Sequence, residues 1–578
     1  MASNFVHCHR NSYTYENTTS RLKSVLDALG QTKQYGYAQD NLLTSIVYLN
    51  AVNTTPNVSF TYDPYFTRRT SMIDGTGTTT YAYVPVGSPG ALQLQQESGA
   101  LANSAIAYSY DALGRRAARN VAGAGAETFG YDSIGRLTSH TSDLGAFTLS
   151  YLGQTSQITL RQLASSTLST TLSYLPNSED RRLSSIANTG LTSGQFSTYG
   201  YSTTPENFTS AISETSDSGA VYPSALTQTA SYNNLNQLTD LSGQALTFDA
   251  DGNLLSDGQR NYSWDAENRL IGIAYLGQSG KQTAFTYDGL SRRTAITSTP
   301  AGGSATTTSY LWCGSAICQA RNASNTSTRG YYAEGEFVPG TPVQFFYYGL
   351  DQIGTARRVF ASTSSAPAYG YDPYGRALQS TTPLTDFNYA GMFYNAESGL
   401  YLTQYRAYDP AAGRWLTRDP AGESTDSTAN LYGYVEGDPI GHRDPQGLTG
   451  GTIAIGVEIG SGAGPVGAIV GGIVGAALGA AAIYAARPAP ENANDPNGPK
   501  APGKPGEAEG FSDPKDGETW VPNPNPGQGG SKYGWQDNKG RVWCPTGPAR
   551  RAHGGPHWDV QLPGGGYVNV RPGQNIND

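Results

Sequence analysis

A six-residue unit, Tyr-Asp-x-x-Gly-Arg, recurs along the first two thirds of the chain and limits what that part can fold into. It stands as YDALGRR at Tyr110–Arg116, YDSIGRL at Tyr131–Leu137, YDGLSRR at Tyr287–Arg293 and YDPYGRA at Tyr371–Ala377. Decayed copies begin at Tyr62, Tyr232, Phe248 and Trp264. The residues before each Tyr-Asp alternate apolar and polar, as in ETFGYD and TAFTYD, which is the pattern of a strand. Asp bonds its own backbone and Gly supplies positive φ, so a turn follows, and the residues after Arg start the return strand. Each copy is therefore predicted to be a β-hairpin. A lone hairpin is marginal in water. The copies must stack into a continuous sheet and bury their aromatic side chains between neighbours.

Composition agrees. Tyr occurs 39 times, Met 3 times, and charged residues make up 14% of the 578 residues, a balance suited to pleated, half-buried surfaces. A net charge of -9 argues against the whole chain coating nucleic acid, and leaves a small domain within it unconstrained. Cys8, Cys313, Cys318 and Cys544 show neither a disulfide framework nor zinc spacing; Cys313 and Cys318 could pair locally, and otherwise the four read as ordinary thiols. His7, His9 and His140 are isolated and read as surface or core polar residues. The first twenty residues lack the apolar segment of a cleavable signal peptide, so export would need a dedicated secretion system.

The repeats resemble those of the RHS/YD-repeat proteins over roughly residues 20–448. That resemblance implies a mainly β fold: a large hollow β-sheet shell of YD-repeat hairpins, residues 1–398, enclosing a C-terminal polypeptide. A generic β-solenoid or propeller without a cavity is the alternative reading. The chain begins in repeat territory, without the Pro-Ala-Ala-Arg spike-docking domain of many secretion-system members, so it reads as a short member or one lacking an N-terminal part.

Residues 399–448 carry Gly399-Leu400-Tyr401, Arg406, Tyr408-Asp409-Pro410, Gly413-Arg414-Trp415-Leu416, Asp419-Pro420, Asn430-Leu431-Tyr432 and Asp444-Pro445-Gln446-Gly447-Leu448. This set is similar to the RHS repeat-associated core domain, with Trp415 where Phe is usual. In that family the domain is an intramolecular aspartyl protease that cuts after the leucine of D-P-x-G-L. The resemblance implies a scissile bond at Leu448-Thr449, Asp419 and Asp444 as the carboxylate pair, and Arg406 as the supporting cation. The chemistry is coherent. Two carboxylates sharing one site cannot both ionise cheaply, so one keeps a proton; the ionised one activates water and the protonated one polarises the carbonyl. On residues alone, both Asp-Pro pairs could equally be turn formers.

Residues 449–515 read as an apolar segment followed by a linker. From Ile459 to Ala486 no charge occurs, a length that passes for a membrane span, but Gly and Ala dominate it and Pro465 interrupts it. It reads as a segment packed on the shell wall, a segment that contacts a target membrane, or a permanent anchor. Arg487–Gly510 is rich in Pro, Asn and Gly and is predicted to be flexible.

Residues 516–578 form a small α+β or β domain holding four of the seven Trp. In HGGPHWDVQLPGGGYVNV, Pro563 and Gly564–Gly566 break two strands into a hairpin. Pairing Gln561 with Tyr567 sets Asp559 opposite Asn569 and His557 opposite Arg571, on one polar face. Gly554-Gly555-Pro556 forbids a helix, so His553 and His557 are not a metalloprotease pair. A His pair with Arg and Tyr suits RNA cleavage that needs no metal or cofactor: one imidazole takes the 2′-OH proton, and Arg571, Arg550 or Arg551 stabilises the phosphorane. The segment resembles the polymorphic toxin type 37 group, predicted to be ribonucleases. A satisfied structural His-Asp pair is the plainer reading.

Together these features predict a secreted or delivered effector of interbacterial competition, with a shell, a self-cutting gate and a nuclease cargo acting on RNA. The implied partners are a cognate immunity protein and a secretion spike or delivery machinery such as a type VI system, with possible target-membrane contact through residues 459–486. A membrane-perturbing cargo and a structural YD-repeat surface protein are the competing readings.

Overall fold

The computed structural model describes residues 11–204, 208–219, 221–361, 367–422, 430–448, 451–452, 502–512, 519–522, 533–539, 541–546, 556–561 and 567–576. His7, His9, Cys8, His553, Arg550, Arg551, Thr449 and the apolar segment 459–486 lie outside them. The chain divides into two compact units, residues 1–473 and 474–578.

In the first unit most of the predicted hairpins form two antiparallel meanders; the copy at Tyr232 lies in a separate three-stranded sheet, and the copy at Tyr371 closes only an isolated bridge to Ala377. One meander has eighteen strands, from Ser12–Tyr15 to Thr209–Ser216; the other has twelve, from Thr247–Phe248 to Ala356–Ala361. One repeat shows why they stack. Asp132 Oδ1 accepts the N–H groups of Ile134 (3.1 Å) and Arg136 (2.9 Å), and Oδ2 accepts Arg136 Nε at 2.7 Å. Gly135 takes φ +91°, which a side chain would resist. Arg136 then reaches forward. It donates to Gly153 O and Thr155 O (2.8 and 2.6 Å) and lies 4.5 Å over the Tyr151 ring. Tyr151 reaches back to Leu137 O at 2.7 Å.

The same pattern links Arg115 to Tyr131 and Arg269 to Tyr287. The Tyr of the repeat sits at a β-bulge, between Gly130 and Tyr131 and between Thr286 and Tyr287, and the bulge re-aims its ring. Each repeat is thus tied to the next, and neither is complete alone. Tyr131→Phe removes one hydroxyl and leaves Arg116 O without its 2.9 Å donor. It is expected to cost about 1 kcal/mol, read as a lower denaturation midpoint at unchanged slope.

The two meanders meet through charged pairs: Lys33–Glu267 (3.1 Å), Arg292–Glu97 (2.7 Å), Arg357–Glu214 (2.9 Å) and Arg358–Asp217 (2.8 Å). His140, expected to be an isolated polar residue, is the centre of the most enclosed of these contacts. Its ring nitrogens meet Glu127 Oε1 at 2.7 Å and Glu334 Oε2 at 2.9 Å, and its ring stacks on Phe129. Burial alone would lower the imidazole pKa; the two flanking carboxylates outweigh it and raise it to about 10. Glu334 moves the opposite way: burial would raise it, and His140 with Arg161 brings it below its ordinary value.

The signs give a window. The His140 contribution is complete below its unfolded pKa of about 6.5 and fades as pH rises toward 10. The Glu334 contribution is present above about pH 4.5 and fades below it. His140→Ala leaves two buried glutamates facing each other, with Arg119 still 2.6 Å from Glu127. The expected loss is about 3 kcal/mol at pH 6, shrinking toward pH 10, measured by denaturant titration across pH.

Cys313 and Cys318 are bonded across the end of one hairpin, so the reading of these two as ordinary thiols is corrected; the two strands hold their Cα atoms 5.8 Å apart. Strands Phe393–Asn395, Leu400–Leu402, Ala407–Asp409 and Arg414–Trp415 form a small sheet. Its Leu400, Leu402, Ala407 and Leu416 join the core of the second meander, with Trp264, Ile273 and Phe285.

The second unit holds a five-stranded antiparallel sheet of strands Thr519–Pro522, Tyr533–Gln536, Val542–Pro545, Trp558–Gln561 and Tyr567–Val570. Trp535, Trp543, Trp558, Val560 and Val570 form its core with Phe511. Part of the stretch read as linker, ahead of the expected start at residue 516, contacts this sheet, while residues 487–501 lie outside the described residues. Trp558 Nε1 donates to Gly503 O at 2.8 Å, and Gly573 N to Glu509 Oε1 at 2.7 Å, which ties Gly503 and Glu509 to the sheet. Among the described residues no helix is long and apolar enough to cross a membrane.

Candidate functional site

The core motif gathers its charged residues around one guanidinium. Arg406 follows a turn in which Thr403 Oγ1 accepts Arg406 N–H (3.1 Å) and donates to Arg406 O (2.9 Å). Asp419 is placed by backbone pairing with Leu431 and by the N–H of Ala421 on its Oδ1, at 2.8 Å. Asp444 opens the D-P-Q-G-L turn, and its Oδ1 accepts the N–H groups of Gly447 (2.7 Å) and Leu448 (3.1 Å). Arg406 Nη2 lies 2.8 Å from Asp419 Oδ2 and 2.9 Å from Asp444 Oδ2. Its Nε donates to Gly447 O at 2.6 Å and its Nη1 to Leu431 O at 3.3 Å. All three side chains are buried. Burial works against the Arg406 charge and Asp444 with Asp419 supports it, the net being a guanidinium below its ordinary value.

Two features of this site escaped sequence reasoning. Trp415 lies under the guanidinium, 4.2 Å from Cζ to the ring centroid. Gly447 takes φ +77°, and a Cβ there would run into Thr403 Oγ1 and crowd Arg406 N. Beyond the turn, Gly451 and Thr452 pair antiparallel with Arg443 and His442. The three residues named from the sequence are brought together around the turn that ends at Leu448.

The small domain carries the second site. The strand pairing is Gln561↔Tyr567 and Asp559↔Asn569, the register expected from the alternation, while His557 and Arg571 fall just outside the paired strands. His557 Nε2 stands 3.3 Å from Asp559 Oδ1. Thr546 frames the histidine, accepting its N–H at 3.1 Å and donating through Oγ1 to its carbonyl at 2.9 Å. Burial raises the Asp559 pKa and His557 opposes the rise. His557, Asp559 and Gln561 are buried, whereas Tyr567 and Asn569 on the edge strand and Arg571 just past its end are exposed. The expected single polar cluster is therefore split into a buried His-Asp pair and an exposed edge.

Cys544 pairs across the ladder with Asp559. Burial and that carboxylate push its thiol up to about 12, so it is no thiolate nucleophile. Asp537 accepts Lys539 N, Arg541 N and Arg541 Nε at 2.9, 2.9 and 2.6 Å, the same turn as the shell repeats. The signal was present in the sequence, as Trp535-Gln536-Asp537 followed by Gly540-Arg541. Among the described residues no group of three or more His, Cys, Asp or Glu could hold a metal ion.

Residues 217–440 match the teneurin YD-shell family model, and residues 499–574 the model for bacterial toxin 37. The tRNA nuclease WapA of Bacillus subtilis is 30% identical over 238 residues, 39% of this chain and 10% of that protein. The probable deoxyribonuclease RhsB of Dickeya dadantii is 26% identical over 214 residues, 33% of this chain and 14% of that protein. The chain thus spans about a tenth of the length of the first of these relatives. In the crystal structure of TcdB2-TccC3 the fold recurs with a TM-score of 0.57 at 17% identity, over 75% of this chain and 28% of that one. The chain thus joins a YD-repeat β-sheet shell region, matching the teneurin YD-shell model, to a C-terminal region that matches the bacterial toxin 37 model.

Proposed function

We propose that this protein is a delivered toxin whose shell encloses its C-terminal domain, severs it after Leu448, and releases it as a ribonuclease. The observation that carries the cleavage step is the convergence of Asp419 and Asp444 on Arg406 Nη2, with Leu448 N–H on Asp444 Oδ1. One carboxylate takes a proton from water as the water oxygen attacks the Leu448 carbonyl carbon. The other, protonated, carboxyl donates to the carbonyl oxygen. Collapse of the tetrahedral carbon breaks the C–N bond, the Thr449 amine takes a proton, and Leu448 keeps a carboxylate. The polypeptide is both enzyme and substrate, so each chain cuts once.

Nuclease activity of the released domain is supported by the bacterial toxin 37 match and by nuclease relatives. In the buried pair, Asp559 orients His557, which accepts the 2′-OH proton while O2′ attacks phosphorus. The 5′ oxygen leaves with a proton, in the role held for His553, and exposed Arg571 neutralises the phosphorane. Tyr567 and Asn569 line the same edge, where a base can stack on the tyrosine. A ribonuclease cargo requires a cognate immunity protein in the producing cell and a machine that carries the chain out.

The purified protein is expected to run as two fragments, residues 1–448 and 449–578, and the smaller one to degrade RNA with EDTA present. A single full-length species overturns the cleavage step. Dye release from liposomes without loss of RNA overturns the cargo assignment.

A further inference from the structure

We propose that Trp415 is the positioning residue of the self-cleavage site, holding the Arg406 plane so that one nitrogen serves both carboxylates. The inference rests on the self-cleavage reading above. Four donor contacts of Arg406 lie in the guanidinium plane and go to Asp419, Leu431, Asp444 and Gly447. Those contacts hold the guanidinium at its edge and leave its two faces to the groups packed on them. The Trp415 ring covers the face at 4.2 Å, the shortest of the described cation–ring distances. The negative ring face also favours the charged guanidinium against burial, which works to discharge it.

The ring itself is held on several sides. Trp415 pairs with Tyr408, donates its backbone N–H to Tyr432 O at 3.1 Å, and packs against the rings of Tyr408 and Tyr434 at 5.4 and 5.8 Å. Its indole Nε1–H has no hydrogen-bond partner among the described residues. The indole is therefore not kept for its N–H. What it supplies is the breadth of a π face, greater in Trp than in Phe.

The test follows cleavage in full-length chains made by cell-free synthesis, then shifted to buffers from pH 4 to 9. Trp415→Leu is expected to cut about 10-fold more slowly, the loss of a desolvated cation–π contact. Its acid limb should move to higher pH, the direction expected when the positive charge beside the carboxylates is less firmly placed. Trp415→Phe should stay within about threefold of wild type, with the limb in place. Should Trp415→Leu fail to resist trypsin as the wild type does, Trp415→Met takes its place.

Wild-type rate and pH profile in the ringless variant overturn the proposal. So does a slower rate with an unmoved acid limb, which is the mark of a merely structural residue. A Phe variant as slow as the ringless one overturns it too. An uncut wild-type chain removes the self-cleavage reading itself, and the proposal with it.

Discussion

Asp444→Asn is expected to leave a single full-length band where the wild-type chain separates into fragments ending at Leu448 and beginning at Thr449. The substitution is close to isosteric, and the Asn oxygen can still accept the Gly447 and Leu448 N–H groups that shape the turn. What it loses is the ability to ionise, and its NH₂ meets Arg406 Nη2 donor against donor. Arg406 retains Asp419 at 2.8 Å, so the fold keeps an anchor there. General acid–base assistance is typically worth about 10²–10⁴-fold, and without it a peptide bond does not break within the life of a preparation. Fragments appearing from the Asn variant at the wild-type rate would mean that both Asp-Pro pairs are turn formers.

The second large effect is on the cargo. His557→Ala in the severed 449–578 fragment is expected to reduce RNA degradation by about 10³-fold or more, with the tryptophan fluorescence of the fold unchanged. His557 lies at the end of its strand, held through its backbone by Thr546, and those contacts survive truncation of the ring. Trp535, Trp543 and Trp558 lie in the core of this domain, so their emission reports whether the sheet persists. A structural His-Asp pair behaves differently: its loss leaves Asp559 buried without the imidazole beside it and lowers stability together with activity. Loss of fluorescence structure at the temperature of the assay would therefore assign the pair to the fold.

Much of the architecture was legible in the chain. The Tyr-Asp-x-x-Gly-Arg unit prescribes a strand, an Asp-capped turn and a return strand because its chemistry is local: Asp132 bonds N–H groups two and four residues on. The register of the last hairpin was equally readable. A one-residue slip would turn the apolar side chains of Trp558–Gln561 to the wrong face, so alternation alone selects Gln561 opposite Tyr567. Asp419, Asp444 and Arg406 were legible through resemblance, since their spacing in sequence, 13 to 38 residues, reveals no contact by itself.

What tertiary structure decided was everything that depends on distant segments meeting. His140 is ordinary in sequence and becomes a charged centre because Glu334, 194 residues away, arrives on a second sheet. The forward reach of Arg136 to Gly153 and Thr155 needs the next hairpin in place. Trp415 is one apolar letter in a motif until folding sets its ring under Arg406. The buried state of His557 and Asp559, beside an exposed Tyr567 and Arg571, follows from which strand lies at the sheet edge. Local hydrogen-bonding and alternation are written in neighbouring residues and survive in the sequence alone. Burial, charge pairing and ring stacking depend on chain closure over long separations, so only the folded molecule determined them.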